Sequence, residues 1–309
     1  MVTGGAGFIG SHLCDALLAR GHEVECVDTL VGSGGTTRNV DHLLSDRRFS
    51  LVVDDVRDWA PRADLVGVEA VFHLAASKNS VSLADPELDL DVNALGTLRV
   101  AHAAARGGVR KLVHSSTGSV IGETPETHED ASPTRPVSYY GVSKLAGESY
   151  VRVIGDLSGT DTTVLRYYHV IGPRQDDSER GGVLPIFVRR GLAGQPLVID
   201  GDGGQTRSFT SVHDAVRANL IAFQRPETRG RTFHCASSLR VSITSLAEEV
   251  LALTGSRAGL DYGPRRPGDI RHFAVDNAPL RSLGLTFDRD WRRMVADVVE
   301  AMTGRSVAA

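Results

Sequence analysis

Tyr140 and Lys144 stand four residues apart in the run Tyr139-Tyr140-Gly141-Val142-Ser143-Lys144. On a helix that spacing brings both side chains to one face. An ammonium close to a phenol favours the phenolate and lowers its pKa. A phenol ordinarily titrates near about 10 and is a poor base at neutral pH unless so tuned. The pair can therefore serve as a base, although exposed helices also carry Tyr/Lys pairs at this spacing by chance. Upstream, Ser115-Ser116-Thr117 closes the apolar run Lys111-Leu112-Val113-His114. Hydroxyls at the carboxyl end of a parallel strand point into a ligand crevice, and a plain serine-rich turn would read the same way.

The first 28 residues say what could lie against these groups. Thr3-Gly4-Gly5-Ala6-Gly7-Phe8-Ile9-Gly10 is a glycine turn, with glycines at Gly4, Gly7 and Gly10. Ser11–Arg20 carries Leu13, Ala16, Leu17 and Leu18 at helical spacing, and Gly21 is a stop signal. Val24, Cys26 and Val27 then form a short strand that ends at Asp28. This is the layout of a dinucleotide-binding βαβ unit. Glycine lets backbone approach a pyrophosphate, and the helix N-terminus offers it free N–H groups and partial positive charge. Asp28 can accept hydrogen bonds from the adenosine ribose hydroxyls. It would repel the extra phosphate of NADP, and Thr29 offers no compensating cation, so NAD is the expected cofactor. Glycines alone could mark a tight turn without a ligand; the helix and the terminal acid make the ligand the better reading. Only Met1 and Val2 precede the turn, so the first strand is either unusually short or begins upstream.

The elements that must position these groups alternate along the chain. Leu51-Val52-Val53, Ala70-Val71-Phe72-His73-Leu74, Lys111–His114, Thr162–Tyr168 and Arg231–Cys235 read as strands. Continuous apolar runs suit buried parallel strands. Helices are expected at Leu88–Arg106, Tyr140–Ile154, Val183–Leu192, His213–Ala222, Ile243–Leu253 and Trp291–Met302. The expected fold class is α/β: a doubly wound parallel (Rossmann) sheet with a smaller C-terminal substrate-binding lobe. The composition shifts near Gly172 toward Gly, Pro and Arg. That places an NAD-binding domain at 1–171, with a returning segment about 209–237, and the lobe at 172–208 and 238–309. Thr29–Thr37 reads as a flexible loop beside the adenosine. Asp54-Asp55 follows a strand end, where an acid could reach the adenine edge or merely cap the next turn. Ala75 and Ala76 are small where backbone would pass the cofactor. Lys78 could reach a ribose or phosphate, or stand solvated.

The 309 residues carry 34 Lys and Arg against 38 Asp and Glu, a net charge of −4. That gives no electrostatic argument for nucleic acid or an acidic membrane. Cys14, Cys26 and Cys235 lie far apart and read as core thiols of a reducing compartment. No signal peptide or bilayer-length apolar run is visible, so a soluble cytoplasmic protein is expected. No His/Cys/acid cluster has metal-ligand spacing, so no catalytic metal is expected. Arg207, after the turn Gly201-Asp202-Gly203-Gly204, and Arg266, in Pro264-Arg265-Arg266-Pro267-Gly268-Asp269, sit in loops of the second lobe. Arginine contacts phosphate oxygens in bidentate fashion, and two solvated loop arginines are the plain alternative.

Together these residues resemble an extended short-chain dehydrogenase/reductase of the NAD-dependent epimerase/dehydratase group, most closely the UDP-glucose 4-epimerases. The likeness runs through Val2–Gly10, Asp55–Asp58, Val71–Ala76, Asn93–Thr97, Ser115–Gly122, Tyr140–Lys144, Leu165–Gln175, Gly201–Phe209 and Arg266–Asp269. It implies Tyr140 as acid/base, Lys144 as its pKa-lowering partner and ribose anchor, and Thr117 as the hydroxyl holding the sugar 4-OH. It implies a cofactor site of Gly4, Gly7, Phe8, Ile9, Gly10, Asp28, Asp55, Val56, Leu74, Ala75, Ala76, Lys78, Asn93 and Tyr167 beside the Tyr/Lys pair. Lys78, His169, Arg207, Arg266, Asp269 and Phe273 join Thr117 and Tyr140 in the implied substrate site.

The departures from the group matter. Dehydratases of the group carry an Asp-Glu pair after the active-site Thr, where this chain has Gly118-Ser119, so elimination of water lacks its acid/base pair. The glutamate that related decarboxylases keep there is missing too. His169 stands where Asn is usual, Ile121 and Ile171 replace tyrosines, and Ser208 and Ser211 replace a common Asp and Tyr. Phe273 falls near the position whose bulk limits N-acetylated sugars, which favours an unacetylated hexose. The implied activity is a UDP-hexose 4-epimerase with retained NAD, working by transient oxidation at carbon 4 and hydride return to the other face. Alternatives within the group are a nucleotide-sugar 4-ketoreductase or dehydrogenase and a UDP-glucuronate 4-epimerase. Outside it stands a non-catalytic NAD-sensing protein. The resemblance also implies a homodimer through Leu88–Arg106 and Tyr140–Ile154.

Overall fold

A computed structural model of the chain describes residues 1–122, 124, 127, 132–179, 181–265, 271 and 275–306. Seven runs pair into one parallel sheet. They are β1 (Val2–Thr3), β2 (Val24–Asp28), β3 (Phe49–Val53), β4 (Ala70–His73), β5 (Lys111–Thr117), β6 (Asp161–Tyr167) and β7 (Arg231–Cys235). Their order across the sheet is β7-β6-β5-β4-β1-β2-β3. The order reverses at β1, and open α/β sheets bind ligands beyond the strand ends at such a reversal. β1 spans only two residues, yet it sits at the sheet centre, with Val2 opposite Cys26 on one side and Phe72 on the other. Backbone bonds beyond its ends extend it: Met1 O accepts from Phe72 N at 2.9 Å and Thr3 O from Leu74 N at 3.0 Å.

Helices cover both faces. On one lie α1 (Phe8–Ala19) and the later helix 212–224, whose Leu13, Leu17, Ala215, Leu220 and Phe223 pack with Val2, Phe72 and Phe233. On the other lie α2 (Val56–Arg62), α3 (86–106) and α4 (Tyr139–Ser158). Their Trp59, Val100, Ala104, Val151 and Ile154 pack with Val71, Leu112 and Val164. Full burial of a Leu, Val or Phe side chain stabilises by roughly 1.5–3 kcal/mol, so these two layers fix the sheet that carries the site. The helix expected at Leu88–Arg106 starts at Pro86, capped by Asp85, and contains a π segment at Asp91–Gly96. The acidic run after β3 is where α2 begins, with Asp55 as its cap.

A third apolar cluster draws only on residues 171–302. It joins α5 (Val183–Leu192), α7 (Ile243–Thr254) and α8 (Trp291–Thr303); α6 is the helix Val212–Gln224 described above. Beside it lie three two-stranded pairs: Val170–Ile171 with Thr210–Ser211, Thr206–Arg207 with Val241–Ser242, and Leu197–Asp200 with Leu260–Gly263. No helix among the described residues is long and apolar enough to cross a membrane.

Candidate active site

A cavity of about 850 Å³ opens beyond the carboxyl ends of β1, β2, β4, β5 and β6. Its floor is the glycine turn. Gly4 has φ +71, and a Cβ there would lie 2.6 Å from Ala75 N. A Cβ on Gly10 would lie 2.1 Å from Gly4 O. Backbone packed on backbone thus requires both glycines, Gly4 against the 74–75 segment after β4 and Gly10 against Gly4 within the turn. Gly7 is different: its Cβ would meet only Gly4 O, at 3.1 Å. Gly7 caps α1 without a side chain, so the first N–H groups of the helix face the cavity. Beneath the turn lie two buried thiols, Cys14 and Cys26, with Cys26 Sγ 2.5 Å from where a Gly5 Cβ would be.

Asp28 lines the cavity and braces the turn. Its carboxylate accepts from Ala6 N at 3.0 Å and from Leu30 N at 2.7 Å. Phe8, Ile9, Val56, Leu74, Ala75, Ala76 and Tyr167 also line the cavity. Asp55 lines it too, but its carboxylate is engaged by Arg57 N at 2.8 Å and by Arg57 Nη2 at 2.9 Å. Of the two uses expected for that acid, capping is the one its hydrogen bonds serve. Lys78 is not merely solvated: it lines the cavity and pairs with Asp176 at 2.5 Å, across 98 residues of chain. Asn93 does not line the cavity. It stands behind it in the π segment, accepting from Ser77 N at 2.9 Å and donating to Asp89 at 2.8 Å. A π turn inserts one extra residue into a helix and commonly marks a functional site.

Tyr140 and Lys144 share one face of α4 and both line the cavity. Ser138 caps the helix just before them, accepting from Gly141 N at 3.1 Å. Thr117, at the end of β5, donates to Ser119 Oγ at 3.2 Å, and its hydroxyl faces that of Tyr140. Burial pushes the Tyr140 phenol up to about 12, with Asp89 adding to the rise and the Thr117 hydroxyl opposing it. That departs from the lowering expected of Lys144, because burial and the Asp89 charge penalise the phenolate more than its surroundings favour it. Lys144 is 2 % exposed. Burial pulls its ammonium down to about 8, against the opposing pull of Glu148 and Asp89. Among the described residues nothing hydrogen-bonds that ammonium.

The expected substrate residues lie farther out. Arg207 is buried on the short strand Thr206–Arg207 and donates to Thr206 O at 3.0 Å. His169 has φ +39, the left-handed region. The residue is exposed to solvent. Neither residue lines the 850 Å³ cavity. Arg266, Asp269 and Phe273 fall outside the described residues.

Several groups at the site carry no local sequence signal. Arg174, with φ +66, lines the cavity and pairs with Asp15 of α1 at 2.8 Å. Glu148 is buried one turn past Lys144, holding Arg166 through two oxygens at 2.8 and 2.7 Å and accepting from Ser116 at 2.5 Å. Asp89 is buried beside Ser143.

Residues 1–236 match the NAD dependent epimerase/dehydratase family. The chain belongs to that family. It is 38 % identical over 295 residues to the UDP-glucose 4-epimerase of Mycolicibacterium smegmatis, covering 92 % of this chain and 91 % of that one. The crystal structure of a Thermotoga maritima UDP-glucose 4-epimerase with UDP-glucose superposes with a TM-score of 0.90 at 32 % identity, covering 98 % of each chain. A Bacillus cereus UDP-glucuronic acid 4-epimerase, in complex with UDP-glucuronic acid and NAD, superposes at 0.91 with 27 % identity, again over 98 % of each chain.

As a member of the NAD dependent epimerase/dehydratase family, the protein is an enzyme that uses NAD. Its cavity fits that cofactor on observations of its own. The uncapped start of α1 suits an anionic diphosphate. The Ser77 hydroxyl is buried at the cavity wall with no hydrogen-bond partner among the described residues, and such orphaned groups usually await a ligand or water. The unbonded Lys144 ammonium is a second donor.

Proposed function

We propose that the protein is a UDP-hexose 4-epimerase of the UDP-glucose/UDP-galactose type. The observation that carries this reading is the Tyr140–Lys144 pair, one turn apart on one face of α4 and both lining the glycine-floored cavity, with Thr117 at the adjoining end of β5. We assign the cofactor to the glycine turn, Asp28, the 74–78 segment, Tyr167 and Lys144. The sugar nucleotide would lie toward Thr117, Lys78, His169 and Arg207, with Arg266 and Asp269 closing on its diphosphate and Phe273 on the sugar. The lobe built from 172–208 and 238–309 would then be the nucleotide-sugar half of the enzyme.

Bound NAD would supply the hydride acceptor and donor for carbon 4 of the sugar. Thr117 orients the 4-hydroxyl through a hydrogen bond. Tyr140, as phenolate, takes the hydroxyl proton and later returns it. Lys144 keeps positive charge beside that phenolate and donates to a ribose. Arg207 holds the diphosphate while the keto sugar turns, so the intermediate stays in a water-poor cleft. Gly118-Ser119 place no carboxyl beside Thr117, which favours epimerisation over elimination or decarboxylation.

The test is turnover of UDP-glucose, UDP-glucuronate and UDP-N-acetylglucosamine by the NAD-loaded enzyme. Interconversion of UDP-glucose and UDP-galactose without net change in cofactor oxidation state is expected. Preference for UDP-glucuronate would move the assignment to that sugar, and stoichiometric NADH release would make the protein a dehydrogenase. Tyr140→Phe should lower kcat by at least about 100-fold, the scale of acid–base catalysis, while NAD content stays intact. Near wild-type turnover in that variant would sink the mechanism.

A further inference from the structure

Asp89 is a carboxylate buried to 1 % exposure on α3, and among the described residues no cation pairs with it directly. Buried charges are costly unless compensated, so its retention calls for a reason. Its Oδ2 accepts from Ser143 Oγ at 2.6 Å, and its Oδ1 accepts from Asn93 Nδ2 at 2.8 Å. Ser143 lies between Tyr140 and Lys144 on α4, and Asn93 holds the backbone of Ser77 on the cavity wall. One carboxylate therefore ties the helix that carries the reacting pair to the segment that lines the cavity.

We propose that Asp89 is a positioning residue for the Tyr140–Lys144 pair, its clamped carboxylate being the uncompensated negative charge that steadies the Lys144 ammonium. This deepens the epimerase reading and rests on it for the roles of the two residues. The groups facing the pair are few. Glu148 acts on Lys144 from its own helix, but its charge is already engaged by Arg166. His73 of β4 and His114 of β5 face Lys144 from the sheet, and burial together with that ammonium keeps both imidazoles neutral. Among the described residues, Asp89 is the charge that acts on both members, favouring the charged lysine and opposing the phenolate. Removing its charge must therefore move both titrations the same way, toward lower pH.

The test uses the NAD-loaded enzyme and Asp89→Asn, which keeps shape and loses charge. Tyr140 ionisation is followed by ultraviolet tyrosinate absorbance, with the matching Tyr140→Phe protein subtracted. Its midpoint is expected to fall by about one pH unit or more, the scale of a close charge. Both limbs of the kcat profile should shift down together, and Asp89→Glu should restore them. An unmoved or raised Tyr140 midpoint in D89N overturns the role. Should D89N not fold, Asp89→Ser removes the same charge and is expected to lower the midpoint likewise; an unmoved or raised midpoint there overturns the proposal equally. The titration needs no turnover, so it stands apart from the question of which sugar is epimerised. Full activity of Tyr140→Phe would refute the underlying reading and leave the titration result intact.

Discussion

Gly118 and Tyr168 compete for one volume: a Cβ on Gly118 would lie 2.1 Å from Tyr168 Cε1. Tyr168 cannot easily yield. It is 2 % exposed, and its hydroxyl hydrogen-bonds His234 Nδ1 at 2.8 Å. The residue after Thr117 must therefore be glycine, and an acid cannot be placed there without displacing the ring. Gly118→Asp should cost at least about 1–3 kcal/mol, the range for overpacking a filled core, and should confer no dehydration. Denaturant melts and a product assay read both outcomes. A stable G118D would show that Tyr168 is freer than its contacts imply.

The glycines of the turn are not equivalent. Gly10→Ala sets a methyl 2.1 Å from Gly4 O, whereas Gly7→Ala meets that atom at 3.1 Å. Purified G10A is expected to hold little NAD and to melt several degrees lower. G7A should keep its fold and lose cofactor affinity only. Equal NAD content in the two proteins, measured after acid release, would contradict this ranking.

Acid should destabilise the fold through its buried imidazoles. His73 and His114 stack with ring centroids 5.4 Å apart. Burial, reinforced by Lys144, pushes His73 from its ordinary 6.5 down to about 3 and His114 well below 6.5. The unfolded chain therefore binds protons below about pH 6.5 while the folded chain does not. Stability falls as pH drops through that window, by about 1.4 kcal/mol per pH unit for each such group. Neither ring nitrogen of His114 has a hydrogen-bond partner among the described residues. His114→Phe removes both orphaned atoms and one proton uptake. Urea melts between pH 4 and 6 should show a flatter acid limb, with little change at pH 8. An unchanged slope would assign acid sensitivity elsewhere.

The outer face of α4 carries Tyr139, Val142, Tyr150, Val153 and Leu157, each at least 41 % exposed. We propose this stripe as the dimer face. V153R/L157R should lower the mass seen by light scattering to that of one chain and leave NAD content unchanged. A double variant of unaltered mass would remove this face from consideration.

The sequence carries the sheet and the glycine turn plainly, because each is a local pattern. The apolar run Ala70–Leu74 and the Gly4, Gly7, Gly10 spacing need no distant partner to be read. Tyr140 and Lys144 are legible for the same reason, four residues apart on one helix. The rest depends on pairs far apart in the chain. Asp89 meets Ser143 across 54 residues, and Lys78 meets Asp176 across 98. The single residue inserted at Asp91–Gly96 leaves an apolar periodicity almost untouched, so the spacing of Leu90, Ala94 and Leu98 could not disclose it. In sequence, Asp55 fits two uses equally, because an acid at a strand end looks the same without its Arg57 partner.

The thiols have a practical consequence. Cys14 and Cys26 lie buried under the glycine turn, while Cys235 lies buried at the end of β7, on the opposite edge of the sheet. The neighbouring Cys26 thiol, together with burial, pushes Cys14 well above its ordinary range, and burial pushes Cys235 up as well. None can react with a maleimide or disulfide reagent until its surroundings open. Labelling rates at the three positions, separated by peptide mass, therefore act as two clocks in one molecule. Added NAD should slow the clock at Cys14 and Cys26 far more than the one at Cys235.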